Sequence, residues 1–150
     1  MYLCSCNQFF TAMKKENILK WVMAIALLLT VNMSAMADTI RKNGVIVAQI
    51  ESNGDVRVNG IIKGTFESSG DIRVNGIVVG KIESNGDVRK NGVIIGQIES
   101  SGNIRKNGII IGQVESNGTV RKNGVIIGQA EQMTNLRRVA ILFFFDFIKI

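Results

Sequence analysis

A 16-residue period constrains this 150-residue chain more than any other feature. From Thr39 the sequence reads TIRKNGVIVAQIESNG, DVRVNGIIKGTFESSG, DIRVNGIVVGKIESNG, DVRKNGVIIGQIESSG, NIRKNGIIIGQVESNG and TVRKNGVIIGQAEQ, six copies that cover 94 residues. A repeat of this length is one supersecondary unit that buries its apolar face only against its neighbours. Each copy holds a short segment such as Asp87 to Lys90, an Asn-Gly, a longer segment such as Val93 to Ser100, and a second Asn-Gly or Ser-Gly. β-Branched residues in both segments point to strands, and the Xaa-Gly pairs between them to tight hairpin turns.

The pattern also sets a register. If Ser52-Asn53-Gly54 is a three-residue loop with Gly54 left-handed, Ile50 pairs with Val56 and Gln49 with Arg57, so apolar faces apolar. Ser69 and Ser101 replace Asn in that loop, as expected where the position keeps negative φ. The same loop at Lys42-Asn43-Gly44 pairs Ile40 with Ile46. The inward face then reads Ile40, Ile46, Ala48, Ile50 and Val56, with Lys63 outward. Gly64, Gly80, Gly96, Gly112 and Gly128 take the Ala48 position in later copies, which implies close backbone approach near a shared axis or a bend.

Two architectures satisfy this pattern. Antiparallel hairpins can circle an axis as a pseudo-symmetric closed flower, or the copies can stack in parallel as a β-solenoid. The solenoid places Glu51, Glu67, Glu83, Glu99, Glu115 and Glu131 about 4.8 Å apart in a like-charge ladder. That cost favours the flower.

The segments outside the repeats are apolar. Lys14, Lys15 and Lys20, the run Trp21 to Val31, and Ala35-Met36-Ala37 have the order of a secretory signal peptide, with cleavage expected after Ala37 and translation able to begin at Met13. The domains are therefore residues 1–37 (signal), 38–132 (six-copy β-repeat) and 133–150, a polar connector followed by an apolar segment, Val139 to Phe145, expected to pack on the repeats as a strand. A strand that plugs an open end competes with a Phe-rich self-association surface as its role. No Cys follows the apolar run, so no lipid attachment and no transmembrane anchor after cleavage are expected. The product is expected to be exported, periplasmic or extracellular.

Cleavage removes Cys4, Cys6, Tyr2 and Trp21, and the chain has no His. Nucleophile systems built on His or Cys and nitrogen- or sulfur-ligated zinc sites are then excluded, and no cofactor is expected. From Asp38 the chain carries 15 Lys+Arg and 11 Asp+Glu, a net of +4. Arg41, Arg57, Arg73, Arg89, Arg105 and Arg121 recur in every copy. Around an axis they form a ring able to hold an anionic polymer such as an acidic polysaccharide; the competing reading is a solvated face of Arg–Glu pairs. Nucleic acid fits poorly, since Phe66 is the only aromatic in the repeats. Glu51 with Asp55, Glu67 with Asp71 and Glu83 with Asp87 face one another across turns and suggest calcium, but Asn103 and Thr119 replace the second acid later. Asp and Asn also simply suit the residue after a tight turn.

The leader, the I-E-S-[NS]-G-x-[VI]-R units each followed by N-G-x-[IV]-[IV]-G, and the aromatic end Val139-Ala140-Ile141-Leu142-Phe143-Phe144-Phe145 resemble bacterial secreted five-fold β-flower proteins. The resemblance implies a pseudo-symmetric all-β fold and a bacterial source, and it brings no activity or site residues. The expected function is an exported, non-enzymatic module with a structural or binding role at the cell envelope or exterior. A self-assembling surface or fibre subunit is the alternative, and an acidic-site hydrolase a weaker one.

Overall fold

The computed structural model describes residues 37–150. The expected signal segment, with the candidate start at Met13, the charged residues and the apolar run, lies outside the described residues. From Asp38 the chain forms six hairpins: β1 (Asp38–Lys42) with β2 (Val45–Ile50), β3 (Asp55–Val58) with β4 (Ile61–Phe66), β5 (Asp71–Val74) with β6 (Ile77–Ile82), β7 (Asp87–Lys90) with β8 (Val93–Ile98), β9 (Asn103–Lys106) with β10 (Ile109–Val114), and β11 (Thr119–Lys122) with β12 (Val125–Glu131). Every strand pairs antiparallel with its sequence neighbours, and β1 pairs with β12 through Thr39↔Glu131, Ile40↔Ala130 and Arg41↔Gln129. The result is a closed twelve-stranded barrel and not a solenoid.

The two turn types differ, and the difference shapes the molecule. At the base turns between hairpins the three-residue loop forms as read: Gln49 faces Arg57, Ile50 faces Val56, and Gly54 is left-handed at φ 96°. The Asn-Gly tips depart from the sequence reading. Asn43 takes φ 50° and Gly44 φ 79°, a two-residue turn that pairs Lys42 with Val45 and Arg41 with Ile46. A bulge then shifts the register so that Ile40 faces Ala48. Ile46 is therefore not inward; it lies beside Arg41 and is 49% exposed. The other five tips repeat the shift.

Neighbouring hairpins such as β2 and β3 are joined by only two register pairs near the base, against four or five within a hairpin. The tips consequently stand out from the closed sheet as separate two-stranded ribbons.

Twelve strands enclose more space than inward side chains fill, since about eight already give a side-chain-filled barrel. The C-terminal segment takes up the difference. It is not a strand: Leu136–Phe144 forms a helix, α1, capped by the Asn135 side chain, which accepts from the Arg137 and Arg138 backbone N–H groups. The physical reason is backbone hydrogen bonding. A closed barrel offers no free edge to a thirteenth strand, so a segment buried among apolar side chains satisfies its peptide groups internally. Val139, Ala140, Ile141, Leu142, Phe144, Phe145 and Ile148 join the strands' Ile40, Ile50, Val56, Phe66, Ile72 and their counterparts in one core. The connector is tied down by buried Asp38, whose carboxylate accepts from Thr134 N (2.9 Å) and Oγ1 (2.8 Å).

The inward glycines receive the tail one hairpin at a time. A Cβ on Gly128, Gly112, Gly96, Gly80 or Gly64 would strike Phe143, Phe144, Phe145, Phe147 or Ile148 respectively. At Gly96 it would sit 2.7 Å from the Phe145 ring and 2.6 Å from the Arg105 carbonyl oxygen. The close approach expected of these glycines is thus to the chain's own tail and to the adjacent strand. Asp146 and Lys149, which interrupt the apolar tail, stay exposed.

Candidate functional site

The six repeated arginines form a belt on the outer face. Each donates from Nε to the Glu Oε1 across the base turn: Arg57 to Glu51, Arg73 to Glu67, Arg105 to Glu99 and Arg121 to Glu115 at 2.5 Å, and Arg89 to Glu83 at 2.7 Å. Arg41 reaches Glu131 at 2.6 Å and closes the belt across the β1–β12 junction. The Nη1 group of each donates to the tip glycine carbonyl of its own hairpin, 2.9 Å in Arg89 to Gly92. Belt side chains are about one-third exposed, and Glu131 reaches 48%. Such pairs contribute little stability individually, but they fix each guanidinium between two hairpin features and offset its charge with a carboxylate. An anionic polymer at this belt competes with six glutamates.

The base turns hold the paired acids. Glu51 N donates to Asp55 O at 2.8 Å, so the two residues do face one another. Their carboxylates are taken by different partners, however: Glu51 by Arg57, and Asp55 by Asn53 and Thr65. Among the described residues no three acidic, His or Cys side chains gather around a common point. Beside the base, an open groove of about 260 Å³ runs between the start of α1 and the second and third base turns; Arg137 donates there to Glu83 O and Ser84 O, and Arg138 stacks over Phe66.

The feature that sequence reasoning missed is at the opposite end. Behind every Asn-Gly tip stand two aliphatic residues that remain 45–68% exposed. Val45, Ile61, Ile77, Val93, Ile109 and Val125 pair with Lys or Val around the mouth, while Ile46, Ile62, Val78, Ile94, Ile110 and Ile126 pair with the arginines outside. Twelve exposed Val and Ile in a closed ring form an apolar crown, well beyond scattered single exposures.

No family model, curated protein or solved structure matches the chain.

Charge divides between the two ends. The tip segments carry Lys42, Lys63, Lys90, Lys106 and Lys122 and no acid, whereas the repeat acids sit at or beside the base turns. Lys42, Lys90 and Lys106 hold their ammonium groups 4.9–5.7 Å from the centroids of Phe143, Phe147 and Phe145, and Lys42 also donates to Ile150 O at 3.2 Å. The mouth is thereby floored with aromatic rings and rimmed with cations. At three of the six gaps between adjacent tips lie open grooves of about 170–250 Å³, lined by an outer aliphatic, an arginine and the next Asn-Gly, as with Ile46, Arg57, Asn59 and Gly60.

Two base carboxylates are held below their ordinary values. Hydrogen bonds from Lys81, then Ser69, lower Asp71 from 3.8, and bonds from Arg105, then Asn103, lower Glu99 from 4.5. A depressed folded-state pKa contributes stability that is present above the ordinary value and is lost as pH falls through the folded one. The melting temperature is therefore expected to hold from neutral pH to about pH 5 and to fall below about pH 4. Lys81→Met should raise the Asp71 midpoint in a carboxyl NMR titration and leave Glu99 unmoved; an unchanged Asp71 midpoint would refute the assignment of its shift to Lys81.

Proposed function

We propose that this chain is an exported binding module of the cell envelope or exterior, without enzymatic activity, whose working surface is the repeated exterior of the barrel. The observation that carries this reading is that the interior is filled by the chain's own tail, while the outward features recur around the ring: crown aliphatics and the Arg–Glu belt. A repeated surface suits an extended or planar partner better than a single small substrate, which needs one concave site with convergent polar groups. The hairpins radiating from a shared axis also agree with the β-flower resemblance, here with six tips and five three-residue base turns.

Self-assembly through the Phe-rich tail gains no support from this arrangement, because Phe144 and Phe145 are 6% and 1% exposed. Strand addition into fibres needs an unpaired sheet edge, and the closed barrel leaves its ends only as short ribbons. The acidic pairs are each committed to turn contacts, which weakens the hydrolase reading.

The reading is tested by expressing the full chain in a bacterial host, locating it by fractionation and reading its first residue by mass spectrometry. Expected are a periplasmic or external product beginning at Asp38, retention by at least one envelope component, an acidic polysaccharide or a lipid, and no turnover of glycoside or ester panels. Cytoplasmic product with its leader intact would sink the export reading. Saturable turnover lost in Glu51→Gln or another single carboxylate variant would replace the module by a hydrolase.

A further inference from the structure

We infer that the apolar crown is a docking surface for an anionic lipid bilayer, which it touches without crossing. The inference rests on the binding-module reading and names its partner. Two observations converge on it. The crown exposes aliphatic Val and Ile, chiefly at 45–68%, on tips that a closed ring of equal hairpins sets around one mouth, so that a flat surface meets them together. The same tips hold five lysines and no acid, while the nearby tail adds Asp146 and Lys149, and its Ile150 carbonyl oxygen accepts from Lys42. Aliphatic area combined with lysine is the composition that partitions into the headgroup boundary of anionic membranes, each contribution reinforcing the other.

The two protein partners closest to hand fit less well. A second copy placed crown to crown would bring five lysines against five, with no carboxylate on either set of tip segments to offset them. A second copy placed base to crown would set exposed isoleucines against Glu, Asp, Ser and Asn. A lipid surface supplies acyl chains and phosphates in the order the crown presents Ile and Lys.

Spanning is a separate matter. The strands are four to seven residues long, against the nine to eleven that cross a hydrocarbon core, and the outer face carries the belt of Arg–Glu pairs. No helix among the described residues is long and apolar enough to cross either. Docking is therefore confined to the tips.

The test uses the chain as recovered from an exporting host, its start read by mass spectrometry so that no leader contributes to binding. Co-sedimentation with vesicles of phosphatidylglycerol and phosphatidylcholine should exceed that with phosphatidylcholine alone by at least about tenfold in partition coefficient. The triple variant I77T/I109T/V125T keeps β-branched residues at the tips and should lose about tenfold or more on anionic vesicles with an unchanged circular dichroism spectrum. K90Q/K122Q should lose about fivefold per lysine on anionic vesicles and little on neutral ones. S100A/S116A, exposed at the base turns of the other end, should bind as the parent does.

Absence of vesicle binding by the parent overturns the inference, as does equal binding by parent and the threonine variant. A dimer seen by light scattering that the threonine variant dissolves, with vesicles ignored, would reassign the crown to self-association. Retention by an acidic polysaccharide with vesicles ignored would defeat the lipid partner alone and leave the module reading standing.

Discussion

Ending the chain after Gln132 is expected to abolish cooperative folding. The removed segment supplies seven buried apolar residues, from Val139 to Ile148. At about 1.5–3 kcal/mol for each large apolar side chain taken out of water, their loss is on the order of 10 kcal/mol, comparable to the whole stability of a typical domain, about 5–15 kcal/mol. The shortened chain cannot repair this locally. Its inward positions would be Ile and Val facing a water-filled lumen, beside five glycines with no side chain to extend into the gap. Thermal melting by far-UV circular dichroism and amide dispersion by NMR should show a broad, non-cooperative species. A single-residue version is milder: Phe145→Ala should cost about 3–5 kcal/mol and still leave a folded protein. If the shortened chain melts cooperatively near the parent temperature, the tail is an accessory and the barrel stands on its strands.

A methyl group at Gly112 should be costly where the same group is native at Ala48. A Cβ on Gly112 meets the Phe144 ring and lies 2.5 Å from the Arg121 carbonyl oxygen, and both belong to packed elements. Overpacking of this kind costs about 1–3 kcal/mol, and Gly112→Val should exceed that. In the first hairpin the equivalent Ala48 is buried at 2% exposure, so the barrel wall itself accommodates a methyl there. The penalty at Gly112 is then assigned largely to the ring facing it. A double-mutant cycle of Gly112→Ala with Phe144→Leu isolates that term: the pair should lose less than the two single changes together, with a coupling of about 0.5–3 kcal/mol. Ala48→Gly should cost no more than about 1 kcal/mol. Equal small costs at 48 and 112 would mean that the glycine row is a relic of duplication with no packing role.

What could be read from the sequence, and what could not, follows from range. The base turns were legible because their evidence is local: Ser tolerated at Ser69 and Ser101 implies negative φ, and the register Gln49↔Arg57 follows from it. The same logic applied to the tips would have given the other answer. Asn occupies every tip from Asn43 to Asn123 with no Ser, the signature of a position held at positive φ, and all six adopt it. A three-residue loop at that turn places Ile46 inward and leaves no crown, whereas the two-residue turn exposes it. Pairs of adjacent aliphatics following Asn-Gly in every copy were the available signal, because a strand with one buried face alternates.

The tail was illegible for a different reason. Val139 to Phe145 has strand-like length and composition, and only closure of β1 on β12, ninety residues apart, leaves it no edge to join. Tertiary context thus overrides local preference there. The recurring arginines were visible in the sequence as a set, and so were the glutamates. Their joining into six pairs required the register, and the pairing of Arg41 with Glu131 required the ring.

The tail meets the barrel in descending order: Phe143 at the sixth hairpin, Phe144 at the fifth, Phe145 at the fourth, Phe147 at the third, Ile148 at the second, and the Ile150 carbonyl at Lys42 in the first. The C-terminus is therefore a tally stick for the ring, notched once per repeat and skipping at Asp146 and Lys149. Tandem duplication can add or delete sixteen residues in one genetic event, but a ring of five or seven would find its key cut for six. Copy number in this architecture is inherited through the last eight residues as much as through the repeats themselves.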